Sequence, residues 1–100
     1  MKLPDRLKHV EAFIKRPRPV GYVYIIRCQG FIKVGVADDP YARLVTLQTG
    51  NPFKLELMRF FASIDPYAEE RELHELLRND HERLEWFRLT PKLEAVINKL

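Results

Sequence analysis

Gly21-Tyr22-Val23-Tyr24-Ile25-Ile26-Arg27, then Gln29-Gly30, then Phe31-Ile32-Lys33-Val34-Gly35-Val36 is the stretch that decides how this chain folds. Tyr, Val and Ile crowd both arms, and such side chains fit a pleated surface. Gln29-Gly30 is a tight turn signal between the arms. Two β-rich arms joined so closely pair as an antiparallel hairpin. Alternation puts Tyr22, Tyr24 and Ile26 on one face of the first strand and Val23, Ile25 and Arg27 on the other. Lys33 interrupts the apolar second arm, and Gly35 either admits a close neighbour or marks a bulge.

Outward from the hairpin, helix signals recur. Upstream, Leu7, Val10, Phe13 and Ile14 repeat at helical spacing between Pro4 and Lys15. Arg16-Pro17-Arg18-Pro19 ends that helix in an extended connector. Downstream, Asp39-Pro40 pairs a good N-cap with a proline suited to the first helical position. Leu44, Leu47 and Tyr41 line that helix, and Gly50 is its stop. Leu55 to Ile64 reads as a third strand. Asp65-Pro66 opens a helix running to Arg78 with Leu73, Leu76 and Leu77 inward, and Trp86-Phe87 is a short extended piece. Thr90-Pro91 opens a last helix lined by Leu93, Val96, Ile97 and Leu100. The order α-β-β-α-β-α-α, with short connections, predicts an α+β fold with an antiparallel sheet. The expected organisation is a single domain over 1–100. It comprises a basic N-terminal helix and Pro-rich connector over 1–19, a core over 20–89 and a C-terminal helix over 90–100.

A chain of 100 residues buries one core. No apolar run approaches the roughly 20 residues that cross a bilayer, so no membrane partner is expected. Met1 to Arg16 has no apolar h-region. Cys28 is the lone cysteine, which excludes an internal disulfide framework and a cysteine-rich zinc site. A reducing, cytoplasmic setting is expected. The net charge of +3 is uneven. Eight basic residues against two acidic make residues 1–33 +6, and nine against twelve make the rest −3. A basic front end, including Lys8, Lys15, Arg16 and Arg18, suits nucleic acid, although a merely solvated basic face has the same composition.

Four side chains could carry chemistry. Tyr24 is either a packing residue or a phenol that orients or deprotonates water. Lys33 is either a solvent-facing strand residue or an ammonium that steadies that phenol and binds a phosphate oxygen. Arg43, one turn into its helix, is either a surface residue or a guanidinium fork for charge developing at phosphorus. Glu70 is either a helix-dipole acid or an anchor for magnesium, which needs few carboxylates. His74 shares its helix face at the i+4 position, but two ligands are too few for a usual zinc site. Glu85-Trp86-Phe87 reads as a structural plug, with base stacking the lesser alternative.

In order, Tyr22-Val23-Tyr24, Lys33-Val34-Gly35, Arg43, Leu47-Gln48-Thr49-Gly50-Asn51-Pro52, Glu70 to His74 and Glu85-Trp86-Phe87 resemble a GIY-YIG nuclease domain. With lysine where the second motif usually has tyrosine, the chain looks like the short phage- and bacteria-associated branch. The match runs from Gly21 to Leu89. The resemblance implies a three-stranded antiparallel sheet flanked by helices, here with an extra N-terminal helix. It implies an endonuclease that hydrolyses DNA phosphodiesters with one divalent ion, Mg2+ or Mn2+. Glu70 would hold the metal, Arg43 would be the catalytic arginine, Tyr24 would position or activate the water, and Lys33 would complete the set. Tyr22 and His74 are auxiliary candidates. Sequence specificity would be weak or supplied by a partner, and the expected protein partners are a separate specificity protein or a second copy in a homo-oligomer. A non-catalytic nucleic-acid-binding module is the first alternative, and a scaffold domain with Leu93 to Leu100 as a docking helix is the second.

Overall fold

In the computed structural model of the protein, the described residues are 20–100. The expected N-terminal helix and connector, with Lys8, Lys15, Arg16 and Arg18, lie outside them. Five strands form one antiparallel sheet: β1 (Gly21–Cys28), β2 (Phe31–Ala37), β3 (Leu55–Ser63), β4 (His81–Arg83) and β5 (Trp86–Arg88), in spatial order β3-β1-β2-β5-β4. Three α-helices accompany them: α1 (Pro40–Thr49), α2 (Pro66–Leu76) and α3 (Pro91–Ile97), with a 3-10 turn at Arg78–Asp80. None of the described helices is long and apolar enough to cross a membrane.

The hairpin forms as the sequence dictates. Cys28 faces Phe31, Ile26 faces Lys33, Tyr24 faces Gly35 and Tyr22 faces Ala37. The left-handed backbone of the turn falls on Gln29 (φ 54°), and the Arg27 Nε–H donates to the Gln29 carbonyl at 3.0 Å. The expectation of three strands is corrected to five. Residues His81–Arg83 and Trp86–Arg88 form a second small hairpin whose β5 arm pairs with Phe31, Ile32 and Lys33 of β2. Strands of three residues are too short to show an alternation, so the sequence left only Trp86-Phe87 as a hint.

All three helices start on the same device. Asp39 accepts from the Tyr41 and Ala42 N–H groups, Asp65 from Ala68 and Thr90 from Leu93, each followed by proline. Such a cap is worth about 1 kcal/mol. Helix α1 stops at Thr49, but Gly50 keeps an ordinary φ of −97°, so its freedom is unused. The loop after it is pinned by side chains instead. The Gln48 amide donates to the Asn51 and Phe53 carbonyls and accepts from the Leu55 N–H at 2.8 Å. The Asn51 carboxamide oxygen accepts from the Phe53 N–H at 2.9 Å.

The sheet has a core on each side. Val23, Ile25, Ile32, Val34 and Phe87 meet Leu77, Leu93 and Ile97 beneath α2 and α3. Tyr24, Ile26 and Leu55 meet Leu44 and Leu47 beneath α1. Each such buried side chain contributes about 1.5–3 kcal/mol of transfer free energy. Leu76, expected inward, is 65 % exposed, because α2 ends there and the chain turns away. Val96 and Leu100 are also exposed, which leaves Leu93 and Ile97 to anchor α3.

The Tyr24 ring lies across Gly35: a Cβ at that position would fall on the phenol oxygen and its ring carbons. Gly35→Ala is therefore expected to lose about 1–3 kcal/mol as the ring is displaced. Gly50→Ala, where a Cβ meets nothing within 4 Å, is expected to be near neutral. Urea unfolding of the two variants checks this, and equal losses would contradict it.

Candidate active site

Strand β2 is paired with β1 along its length, but β5 covers only Phe31–Lys33. The edge of β2 is thus bare from Gly35 onward among the described residues. Four elements bring side chains to the start of that edge.

From β1, Tyr24 is buried in the α1-side core, and its phenol crosses β2 at Gly35. From β2 itself, Lys33 lies on the same face, since it is opposite Ile26 and Trp86. Its ammonium donates to Glu85 Oε2 at 2.8 Å and sits 5.7 Å from the centroid of the Trp86 ring. The Lys33 side chain is only 13 % exposed, so this cation is held rather than free in solvent. Glu85 sits in the β4–β5 turn, and its backbone carbonyl also accepts from the Val34 N–H at 3.3 Å.

From α2, His74 and Glu70 reach the same edge. His74 Nε2 is 3.0 Å from the Val34 carbonyl, where only the protonated nitrogen can donate. Its ring meets Phe87 edge-on at 5.0 Å. His74 is thus a strut that fixes α2 against β2. Glu70, one turn earlier on the same helix face, inherits its position from that strut. Burial pushes the Glu70 carboxyl above the usual carboxylate range, and the Glu85 charge adds to this; His74, Lys33 and Arg71 oppose it. Glu70 is therefore within electrostatic reach of both members of the Lys33–Glu85 pair.

From α1, Arg43 is exposed. The packed side of α1 carries Pro40, Leu44 and Leu47. Tyr41 leaves toward β3, where its ring meets Phe60 at 5.4 Å. Arg43 is about 200° around an ideal helix from Tyr41, which puts it on the flank of α1 away from Phe60. Tyr22 goes elsewhere. Its ring packs edge-on against Phe60 at 5.9 Å, in the aromatic cluster over β3.

The structure thus gathers Tyr24, Lys33, Glu70 and His74 at one edge, while Arg43 is exposed on α1 with no hydrogen bond or ion pair to them. Glu85 is the member that sequence reasoning missed. Its pairing with Lys33 depends on the β5 register, and the linear signal was its place in the Glu85-Trp86-Phe87 segment, read there as a structural plug.

Residues 21–100 match a phage-associated domain of the GIY-YIG/HNH-like nuclease-related group. The chain belongs to that domain family, T5orf172. The match extends past Leu89 and takes in α3. Comparison with curated proteins and with solved structures finds no match.

The raised Glu70 pKa has a measurable consequence for stability. Below the ordinary value of 4.5 the carboxyl is protonated in both folded and unfolded chains, and its site costs nothing. As pH rises through the window between 4.5 and the higher folded value, the unfolded chain ionises first and the fold loses stability. Glu70→Gln is therefore expected to raise the melting temperature at neutral pH without divalent ions, with the advantage vanishing in acid. Lys33→Met is expected to push the Glu70 titration still higher, as read by carboxyl NMR. An unmoved titration would show that the ammonium does not act on Glu70.

Proposed function

We propose that the protein is a metal-dependent endonuclease that hydrolyses DNA phosphodiesters at the bare edge of β2. The observation that carries this reading is the convergence of a phenol, a held ammonium and a partly desolvated carboxylate at one opening. Membership of a nuclease-related family supports it.

The residues fit a magnesium-type ion. No three His, Cys, Asp or Glu among the described residues come close enough to cage a metal. Magnesium needs no such cage, because one or two carboxylates suffice when water and phosphate oxygens complete the shell. Glu70, burdened by burial and by Glu85, is a carboxylate that a cation would relieve. Glu70 would hold the ion with Glu85 close by, and when bound it would supply positive charge to phosphate oxygens.

The chain's own groups do the rest. A water oxygen attacks phosphorus and passes a proton through the Tyr24 hydroxyl to solvent, and the bond to the leaving sugar oxygen breaks as that oxygen takes a proton from solvent. The Tyr24 hydroxyl orients that water, held in line by the ring's seat on Gly35. Arg43 approaches from the α1 side and neutralises charge gathering on the non-bridging oxygens. Lys33 donates to the Glu85 carboxylate. It steadies Glu85 and offers a second cation to the phosphate.

A binding module without catalysis is the competing reading. The Lys33–Glu85 pair favours it, since a lysine spent on an internal partner is less free for substrate. The two readings separate cleanly. The purified protein is expected to nick DNA in Mg2+ or Mn2+, to stop in chelator, and to lose activity in Glu70→Ala. Arg43→Ala is expected to slow cleavage by about 100-fold or more. Undiminished cutting by Glu70→Ala would end the nuclease assignment.

Affinity for DNA is expected to depend on residues 1–19. Residues 20–100 hold eleven basic and twelve acidic side chains, a formal −1, whereas 1–19 hold six and two, or +4. Replacing Lys8, Lys15, Arg16 and Arg18 with alanine is expected to flatten the plot of log affinity against log salt by about three to four. An unchanged slope would remove these side chains from the interface.

A further inference from the structure

Helix α1 packs chiefly over β3 and β1 and reaches β2 only at its margin, which leaves the β5 and β4 half of that side largely bare among the described residues. Strand pairing decides what that bare half displays. Phe31 lies opposite Cys28 and Arg88, Lys33 lies opposite Ile26 and Trp86, and Trp86 lies opposite Arg83. All therefore share the α1 side. Cys28, Phe31, Asn51, Glu82, Arg83 and Trp86 enclose an open hollow of ≈ 330 Å3 whose lining is mostly apolar. Trp86 joins this hollow to the Lys33–Glu85–Glu70 cluster, because Lys33 lies over its ring.

We propose that this hollow seats one unpaired base of a DNA strand, stacked on Trp86 and Phe31, while the neighbouring phosphate enters the β2 edge. The proposal rests on the reading of DNA as substrate and narrows it to DNA with an unpaired nucleotide. Aromatic faces in an open apolar hollow match the flat face of a base, which a paired and stacked duplex hides. Three cations on the same face, Lys33, Arg83 and Arg88, match a ligand that carries phosphates on each side of its base. The Arg88 pairing with Glu82 is a loose 3.8 Å contact between exposed groups, so Arg88 can exchange that partner for phosphate. Small half-buried Cys28 forms part of the lining, where a larger side chain would fill the space.

Trp86 is the sole tryptophan, so the protein's tryptophan emission comes from the wall that the hollow shares with Lys33. The experiment uses full-length Glu70→Gln in chelator, with fluorescein anisotropy of the oligonucleotide scoring binding. Oligothymidylate is expected to bind and quench Trp86, and a blunt duplex of equal length to quench it far less. Phe31→Ala is expected to weaken oligothymidylate binding about tenfold. Arg83→Gln, at an exposed position, is expected to weaken it and flatten its salt dependence. Equal quenching by duplex, binding that leaves Trp86 emission unmoved, or stronger quenching by oligouridylate would each overturn the proposal. Magnesium-dependent cleavage by the parent chain is scored separately. Cleavage without quenching removes the base seat alone, and quenching without cleavage removes the nuclease reading alone.

Discussion

The contact between the Tyr24 ring and Gly35 is the constraint on which the rest of the architecture turns. These two residues face each other across the β1–β2 pair, and the ring can lie over the strand only because the partner has no side chain. The same contact keeps the phenol buried against Leu44 and Leu47 of α1 while carrying its oxygen across β2. One close approach thus seats a helix, fills a core and aims a polar atom. Glycine elsewhere in the chain has no comparable duty. At Gly50 the backbone is ordinary and the space is open.

A second constraint acts from the opposite side of the sheet. His74 spends its Nε2 proton on the Val34 carbonyl, a main-chain group that β5 does not reach. That bond meets the demand of a strand acceptor for a partner and ties α2 down one turn from Glu70. The acid is then kept where burial and Glu85 make its charge unwelcome. A fold selected for stability alone would place a neutral side chain there. The tension at Glu70 is the type of local conflict that accompanies a functional site.

Much of the fold was legible in the linear chain because its signals are local. The hairpin, the three cap-plus-proline starts and the inward leucines of α1 depend on residues within a few positions of one another. The β4–β5 hairpin was not legible, since three-residue arms have no period and gain their strand character from β2. Leu76 was misjudged for a related reason: helical spacing put it inward, but α2 ends before a neighbour covers it. At the site, the resemblance pointed to Tyr24, Lys33, Arg43 and Glu70, and the structure accounts for the Gln48 and Asn51 of the same motif as loop pins. The engagement of Lys33 by Glu85 could not be read, because it spans 52 positions and depends on strand register.

The brevity of β5 carries one more consequence. Its hairpin turns at Leu84, a residue with positive φ, level with the point where β2 becomes bare. Two more residues in each arm would let the hairpin zip along Val34 and Gly35 and cover the start of the opening with its own main chain. Loop length at this corner therefore acts as a gatekeeper. The turn at Gln29-Gly30 could grow outward into solvent, whereas growth at Leu84-Glu85 would shut the door on any polymer seeking the cleft.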